Sequence, residues 1–162
     1  MKHIKILIPT EAVPKARARV VVSSQGRPYA YTPAKTREYE EYLRWLFKSE
    51  CPVPFEQGVP LRVELACYLK KPKRNKNEYP VGRPDADNLQ KAVWDAAKGI
   101  LWHDDSQIVT ALMRKLWADK EGYSKLIVEV VRNETHQEEG KMSNMSYTLI
   151  WTGPERPESS QQ

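Results

Sequence analysis

Residues 83–107 hold the chain's densest run of groups able to do chemistry: Arg83-Pro84-Asp85-Ala86-Asp87-Asn88, then Lys91, then His103-Asp104-Asp105-Ser106-Gln107. The proline biases Arg83 toward an extended backbone. In an extended segment residues i and i+2 project to the same side, so Asp85 and Asp87 can share one ion. Three aspartates that met would form a hard-oxygen site suited to Mg²⁺, with water and substrate phosphate filling the remaining positions. Such an ion activates water and stabilises a departing phosphate oxygen. Lys91 follows Asp87 by four residues, which on a helix places a cation on the face of the carboxylates.

Plainer explanations compete. Asp87 or Asn88 could cap a helix, with Asp85 favourably placed near its dipole. Lys91 could form a surface ion pair worth about 0–1 kcal/mol. Neither explains Asp104-Asp105, which follow the helix, where the dipole offers carboxylates no help. Convergence also needs a route. A helix over 88–99 is ~17 Å long, and residues 99–105 span at most ~20 Å. Asp105 therefore rejoins Asp85 within one chain only if that connection runs back almost fully extended; otherwise the third carboxylate comes from a second subunit. Both routes are open. An EF-hand loop is rejected by Leu89 and Gln90 at the third ligand and glycine positions, and the chain has no P-loop or GxGxxG. His103 lacks ligand partners, since His3 and His136 are the only other histidines.

The elements that must hold these groups are legible from periodicity. Residues 2–8 alternate polar and apolar as a half-buried strand, and Arg19–Ser23 and Pro28–Thr32 flank a glycine-containing turn as a hairpin. Thr32 as N-cap and Pro33 at the first helical position start a helix running to about Ser49, which buries Tyr39, Tyr42, Leu43, Leu46 and Phe47. Leu61 to Leu69 alternate with period two, the clearest strand in the chain. A second helix fits 88–99, with a full stripe at Leu89, Ala92, Val93, Ala96, Ala97 and Ile100 and with Gly99 at its C-terminal end. Gln107–Trp117 and Tyr123–Val131 read as strands joined by a hairpin turn at 119–122, and Met145–Trp151 as a further strand. The fold class expected is α+β (mixed α/β), a single domain over 1–150 with a mixed sheet and two main helices, followed by a disordered tail over 151–162.

A chain of 162 residues and net charge +5 suits one such domain. Its apolar runs fall well short of the ~20 residues a membrane helix needs, and its first residues lack a secretory h-region, so an intracellular protein is expected. Cys51 and Cys67 are too few for a disulfide framework and read as buried thiols. Residues 1–83 carry 17 Lys/Arg against 8 Asp/Glu, whereas residues 84–105 carry 2 against 5. A basic half followed by an acidic island suits a polyanion-binding surface that holds a cation or does chemistry at one place.

RPDADNLQKAVWDAAKGILWHDDSQI resembles the central motif of the RusA family of Holliday-junction resolvases. Pro14-Lys15-Ala16-Arg17-Ala18-Arg19, and Tyr31-Thr32-Pro33 with Thr36 and Tyr39-Glu40, are similar to the family's N-terminal pattern, and the likeness covers residues 3–132. The resemblance implies a homodimeric, Mg²⁺-dependent endonuclease, with Mn²⁺ able to substitute. It would nick opposing strands of branched, four-way DNA in recombination and repair. A cytoplasmic protein of bacterial or phage origin is implied, with no membrane partner and no nucleotide cofactor. The implied catalytic residues are Asp85, Asp87, Asp105 and Lys91, with Asp104 as an adjacent metal ligand. Lys15, Arg17, Arg19, Lys70, Lys71, Lys73, Arg74 and Lys76 would contact phosphates. The alternatives are a metal nuclease acting on flaps or forks, a non-catalytic branched-DNA-binding protein, and a basic domain with capping aspartates.

Overall fold

The computed structural model describes residues 3–16, 19–22 and 25–131. In chain order the elements are β1 (His3–Ile8), β2 (Arg19–Val22), β3 (Pro28–Tyr31), α1 (Ala34–Glu50), β4 (Leu61–Lys70), α2 (Ala86–Ala97), β5 (Ile108–Ala118) and β6 (Tyr123–Val130), with a 3₁₀ turn at Asp105–Gln107. Four strands form a mixed sheet ordered β1-β6-β4-β5, and β2 and β3 form a separate antiparallel hairpin. The α+β architecture expected from the sequence is thus the one observed. The strand at 145–151, the domain end at 150 and the tail at 151–162 lie outside the described residues. Among the described residues no helix is long and apolar enough to cross a membrane.

β4 is the spine of the sheet. Its alternation buries Leu61, Val63, Leu65, Cys67 and Leu69 against the helices. The stripe read from sequence on α2 is buried at Leu89, Ala92, Val93, Ala96 and Ala97, and α1 contributes Tyr39, Leu43, Leu46 and Phe47. Burial of these side chains, worth about 1.5–3 kcal/mol for each large one, fixes α2 along the β4–β5 half of the sheet. Cys51 and Cys67 are buried and free.

Three local expectations are corrected. Pro33, not Thr32, is the N-cap of α1: its backbone is extended (φ −53°, ψ 142°) and its carbonyl accepts from the amides of Thr36 and Arg37. α2 begins at Ala86, two residues early, so Asp87 lies in the first helical turn and not in an extended segment. It closes with Lys98 as C-cap and Gly99 at φ +78°, the left-handed position glycine favours.

The third correction is topological. β5 and β6 do not pair with each other; β4 lies between them, parallel to β5 and antiparallel to β6. A local turn signal at 119–122 cannot distinguish a hairpin from a short strap over the end of an intervening strand. Here Lys70, the last residue of β4, donates from its ammonium to Glu121, and its amide donates to Glu11 Oε1. Gly122 passes so close that a Cβ there would lie 2.7 Å from the Glu11 side chain.

Candidate active site

β4, α2 and β5 form a βαβ unit, and such units present ligands beyond the carboxyl ends of their parallel strands. Asp85 and Asp87 lie there, where the chain leaving β4 enters α2. Asp85 has N-cap backbone geometry (φ −71°, ψ 143°), yet its carboxylate makes no capping hydrogen bond. The cap position expected at Asp87 or Asn88 thus falls on Asp85, and no side-chain capping bond is made there. Among the described residues neither carboxylate has a hydrogen-bond or ion-pair partner, and both are exposed. Lys91 is exposed one turn further on and likewise unpaired among them. Beside Asp85 an open cavity of about 590 Å³ is lined by Pro14, Lys15, Arg83, Pro84, Asp85 and Asn88.

The approach to Asp85 is fastened from two sides. Lys115 of β5 donates from its ammonium to the carbonyls of Gly82 (2.8 Å) and Pro84 (2.9 Å), flanking the cis Arg83–Pro84 peptide. The amide of Lys15 donates to the Asn88 carbonyl at 2.8 Å, pinning residues 14–16 to the first turn of α2. The Lys15 ammonium meets Glu40 at 2.6 Å and Asp95 at 2.9 Å, so it bridges α1 and α2. Desolvation lowers the pKa of Lys15, but the bonds and charges of Glu40 and Asp95 outweigh it and the net shift is upward.

The second acidic pair is built differently. Asp104 caps the 3₁₀ turn, accepting from the Ser106 amide at 3.0 Å, while Gln107 Oε1 accepts from the amides of His103 (2.9 Å) and Asp104 (3.3 Å). Asp104 also pairs with Lys98 at 2.5 Å. The Lys98 ammonium, with the Ser106 amide second, holds the Asp104 carboxyl far below the usual range. Asp105 instead accepts from the indole N–H of the fully buried Trp102 at 2.8 Å, and its other oxygen has no partner among the described residues. A buried donor aimed at one carboxylate oxygen orients the group, as outer-shell partners of metal ligands do.

These pairs stand at opposite ends of α2. After Ala97 the chain turns tightly: the Gly99 amide donates to the Trp102 carbonyl at 2.7 Å and Lys98 bridges to Trp102. The extended return toward Asp85 does not occur. Among the described residues no three His, Cys, Asp or Glu side chains come together to hold a metal ion. Asp85, Asp87 and Lys91 thus share one end, while Asp104 and Asp105 share the other.

The basic residues also divide. Lys73, Arg74 and Lys76 are exposed on the loop after β4 and unpaired among the described residues. Lys71 lies 5.9 Å from the Trp117 ring centroid, and Lys70 is held by Glu121. The Lys15 ammonium pairs with Glu40 and Asp95 of the same chain, and the residue also lines the open cavity beside Asp85. Arg17 and the side chain of Arg19 fall outside what is described. Sequence reading overlooked Lys115 and Trp102. Lys115 left a trace, since it alternates in phase with Met113 and Trp117 and so is a charged residue at an inward-facing strand position. Trp102 left none, because nothing in its neighbourhood marks which polar group its N–H will find.

Comparison with known proteins places this arrangement. The family model for endodeoxyribonuclease RusA matches residues 9–130. An uncharacterized protein of Bacillus subtilis, YqaN, is 26% identical over 142 residues, 80% of this chain and 99% of its own. The crossover junction endodeoxyribonuclease RusA of Escherichia coli K12 is 27% identical over 122 residues, 75% of this chain and 92% of its own. The enzyme of the same name from Enterobacteria phage 82 shows the same identity over the same coverage. The family match takes in the four-stranded sheet from β4 onward, both helices and all four motif aspartates, and the chain belongs to the RusA family of endodeoxyribonucleases.

Proposed function

We propose that the protein is a Holliday-junction resolvase: a homodimer that uses Mg²⁺, or Mn²⁺ in its place, to nick opposing strands of a four-way DNA junction in recombination and repair. The observation that carries this reading is the pair Asp85 and Asp87. Two exposed carboxylates without partners among the described residues sit beside an open cleft at the end of a basic loop, and one occupies an N-cap without capping. The names of the bacterial and phage relatives support the junction as substrate.

The donors fit a hard divalent cation in kind: among the described residues, carboxylate oxygens without hydrogen bonds on Asp85 and Asp87, and one oxygen without a partner on an Asp105 oriented by Trp102. One chain supplies them at two ends of α2, so the full set is Asp85 and Asp87 from one subunit with Asp105 from the other. A metal bound there would supply water activation and stabilisation of the leaving oxygen. Lys91 neutralises charge on the scissile phosphate, and Lys115 holds the loop segment that presents Asp85. Lys73, Arg74 and Lys76 contact backbone phosphates, which position DNA without reading its sequence. Asp104 serves as turn cap and partner of Lys98. Two equivalent nicks across a junction call for two equivalent sites, which a twofold dimer provides.

The test is incubation of a labelled four-way junction and a matched linear duplex with the protein, under Mg²⁺, Mn²⁺ or EDTA, alongside Asp87→Asn. Paired nicks in the junction alone, lost with EDTA and in the variant, are expected. A junction bound but uncut under every divalent ion would make the protein a binding module, and preferential cutting of flaps or forks would reassign its substrate.

A further inference from the structure

We propose that Tyr79, with Val81 beside it, recognises the branch point: its ring stacks on a DNA base left unstacked where strands exchange. The inference rests on the junction-resolving reading above and names the group that tells a junction from a duplex. Tyr79 and Val81 are 58% and 76% exposed, and Pro80 between them is buried. The Val81 amide donates to the Tyr79 carbonyl at 2.9 Å, closing a three-residue turn around that proline. β5 clamps the turn on both sides. The Trp117 indole N–H donates to the Asn77 carbonyl at 3.0 Å, and the Lys115 ammonium holds the carbonyls of Gly82 and Pro84 at 2.8 and 2.9 Å. Singly exposed apolar residues are ordinary. Two of them on a turn fastened at residues 77, 82 and 84, just ahead of Asp85, are a presented surface. Among the described residues Tyr79 has no ring contact, whereas the other exposed aromatic, Trp45, stacks on Tyr42.

The surroundings select the ligand. Residues 71–83 carry Lys71, Lys73, Arg74, Lys76 and Arg83 against Glu78 alone, so the turn lies within a strongly cationic segment. An apolar ligand gains nothing from those charges. A nucleic-acid strand uses both features, with phosphates on the cations and a base face on the ring. Phosphates are alike on a junction and a duplex, so the cations do not discriminate between them. The ring does. In a continuous duplex both faces of every base are already covered, and freeing one costs unstacking energy that an interrupted stack does not require. Six residues separate Tyr79 from Asp85, at most ~20 Å of chain. The stacked base therefore lies within about six nucleotides of the bond that is cut.

The experiment uses the full chain in EDTA, so that binding is read without cleavage, on a four-way junction and a matched linear duplex. Iododeoxyuridine is placed in turn at the branch-point positions and at the same positions of the duplex, irradiated, and the crosslinked residue is identified by mass spectrometry. Dissociation constants are measured for wild type, Tyr79→Ala, Tyr79→Phe and the control Trp45→Ala, with folding checked by circular dichroism and mass by light scattering. The expected result is a crosslink to Tyr79 from the junction alone. Tyr79→Ala weakens junction binding ~5–150-fold and leaves duplex binding unchanged; Tyr79→Phe, which keeps the ring, binds as wild type, and Trp45→Ala changes neither. Equal weakening on junction and duplex would make Tyr79 a general DNA contact, and no weakening would remove it from the interface. Either overturns the inference while the resolvase reading stands, provided wild type prefers the junction. A wild type that binds both DNAs alike overturns that reading as well. A lower mass for Tyr79→Ala would make the residue a protein contact and likewise overturn the inference. If Tyr79→Ala fails to fold, the crosslink decides alone: a junction-specific adduct on Tyr79 supports the inference, and one elsewhere refutes it.

Discussion

Mixing two inactive variants tests the division of the site between chains. Asp85 stands at the start of a twelve-residue helix and Asp105 beyond its end, an axial separation of ~18 Å. Two carboxylate oxygens on one Mg²⁺, each at ~2.1 Å, lie no more than ~4 Å apart. Side-chain rotation recovers only a few ångströms, so no rearrangement short of unwinding α2 closes the gap within a chain. Asp85→Asn and Asp105→Asn should each be inactive alone. Equal mixing with chain exchange makes roughly half of the dimers mixed, and each mixed dimer has one site with both substitutions and one with neither. About a quarter of the sites are then restored. The assay is strand-specific cleavage of a labelled junction by the mixture, with exchange verified by co-purification of differently tagged chains. Single nicks are expected in place of paired ones. A verified mixture as inactive as its parents would refute the shared site.

Other perturbations address the groups that hold the site. Lys115→Met removes two charge-assisted bonds to the carbonyls before Asp85, and is expected to lower turnover ~10–100-fold and stability by about 1–3 kcal/mol, with Lys115→Arg restoring part of the turnover. Trp102→Phe leaves Asp105 without its buried donor; a right-shifted Mg²⁺ titration of cleavage is expected, together with a lower thermal midpoint. Because the Asp104 pKa is depressed from its ordinary 3.8, its contribution is fully present above that value and is lost as pH falls through the lower folded value. The stability difference between wild type and Asp104→Asn should therefore hold constant from pH 8 to pH 5 in denaturant titrations and shrink only in stronger acid. Replacing Lys73, Arg74 and Lys76 by Gln should flatten the dependence of log affinity on log salt by up to ~2.7, while cleavage at saturating protein changes little.

Where a residue's neighbours in sequence are also its neighbours in space, the sequence was enough. The stripe on α2 and the alternation of β4 report burial directly, and both elements are found within two residues of their expected places. The Asp85/Asp87 motif was equally open to view, although the helix starts two residues earlier than its stripe suggests and takes in Asp87. The insertion of β4 between β5 and β6 was not, because it depends on which edge of β4 each strand occupies, and the four residues at 119–122 have the same composition in either topology. The resemblance implies Lys15 as a phosphate contact, and its ion pairs within the chain were not legible beside that. Glu40 and Asp95, distant in sequence, claim it in the fold. Asp104 and Asp105 look identical in sequence, and only the capping geometry and the Trp102 indole separate their roles.

The pairing of β1 with β6 also bears on how the chain is made. His3 pairs with Glu129 and Ile8 with Ser124, so the first strand synthesised waits for nearly the last described one. β4 likewise finds both partners only after it, in residues 108–118 and 123–130. On a ribosome, α1 and the β2–β3 hairpin can form early, but no strand of the main sheet has a neighbour until residue 108 has emerged. High contact order of this kind slows folding. It also means that a nascent chain cut short before residue 108 has the basic loop and the aspartates but no paired strand of the main sheet to hold them. DNA cutting is thereby confined to chains synthesised past β6.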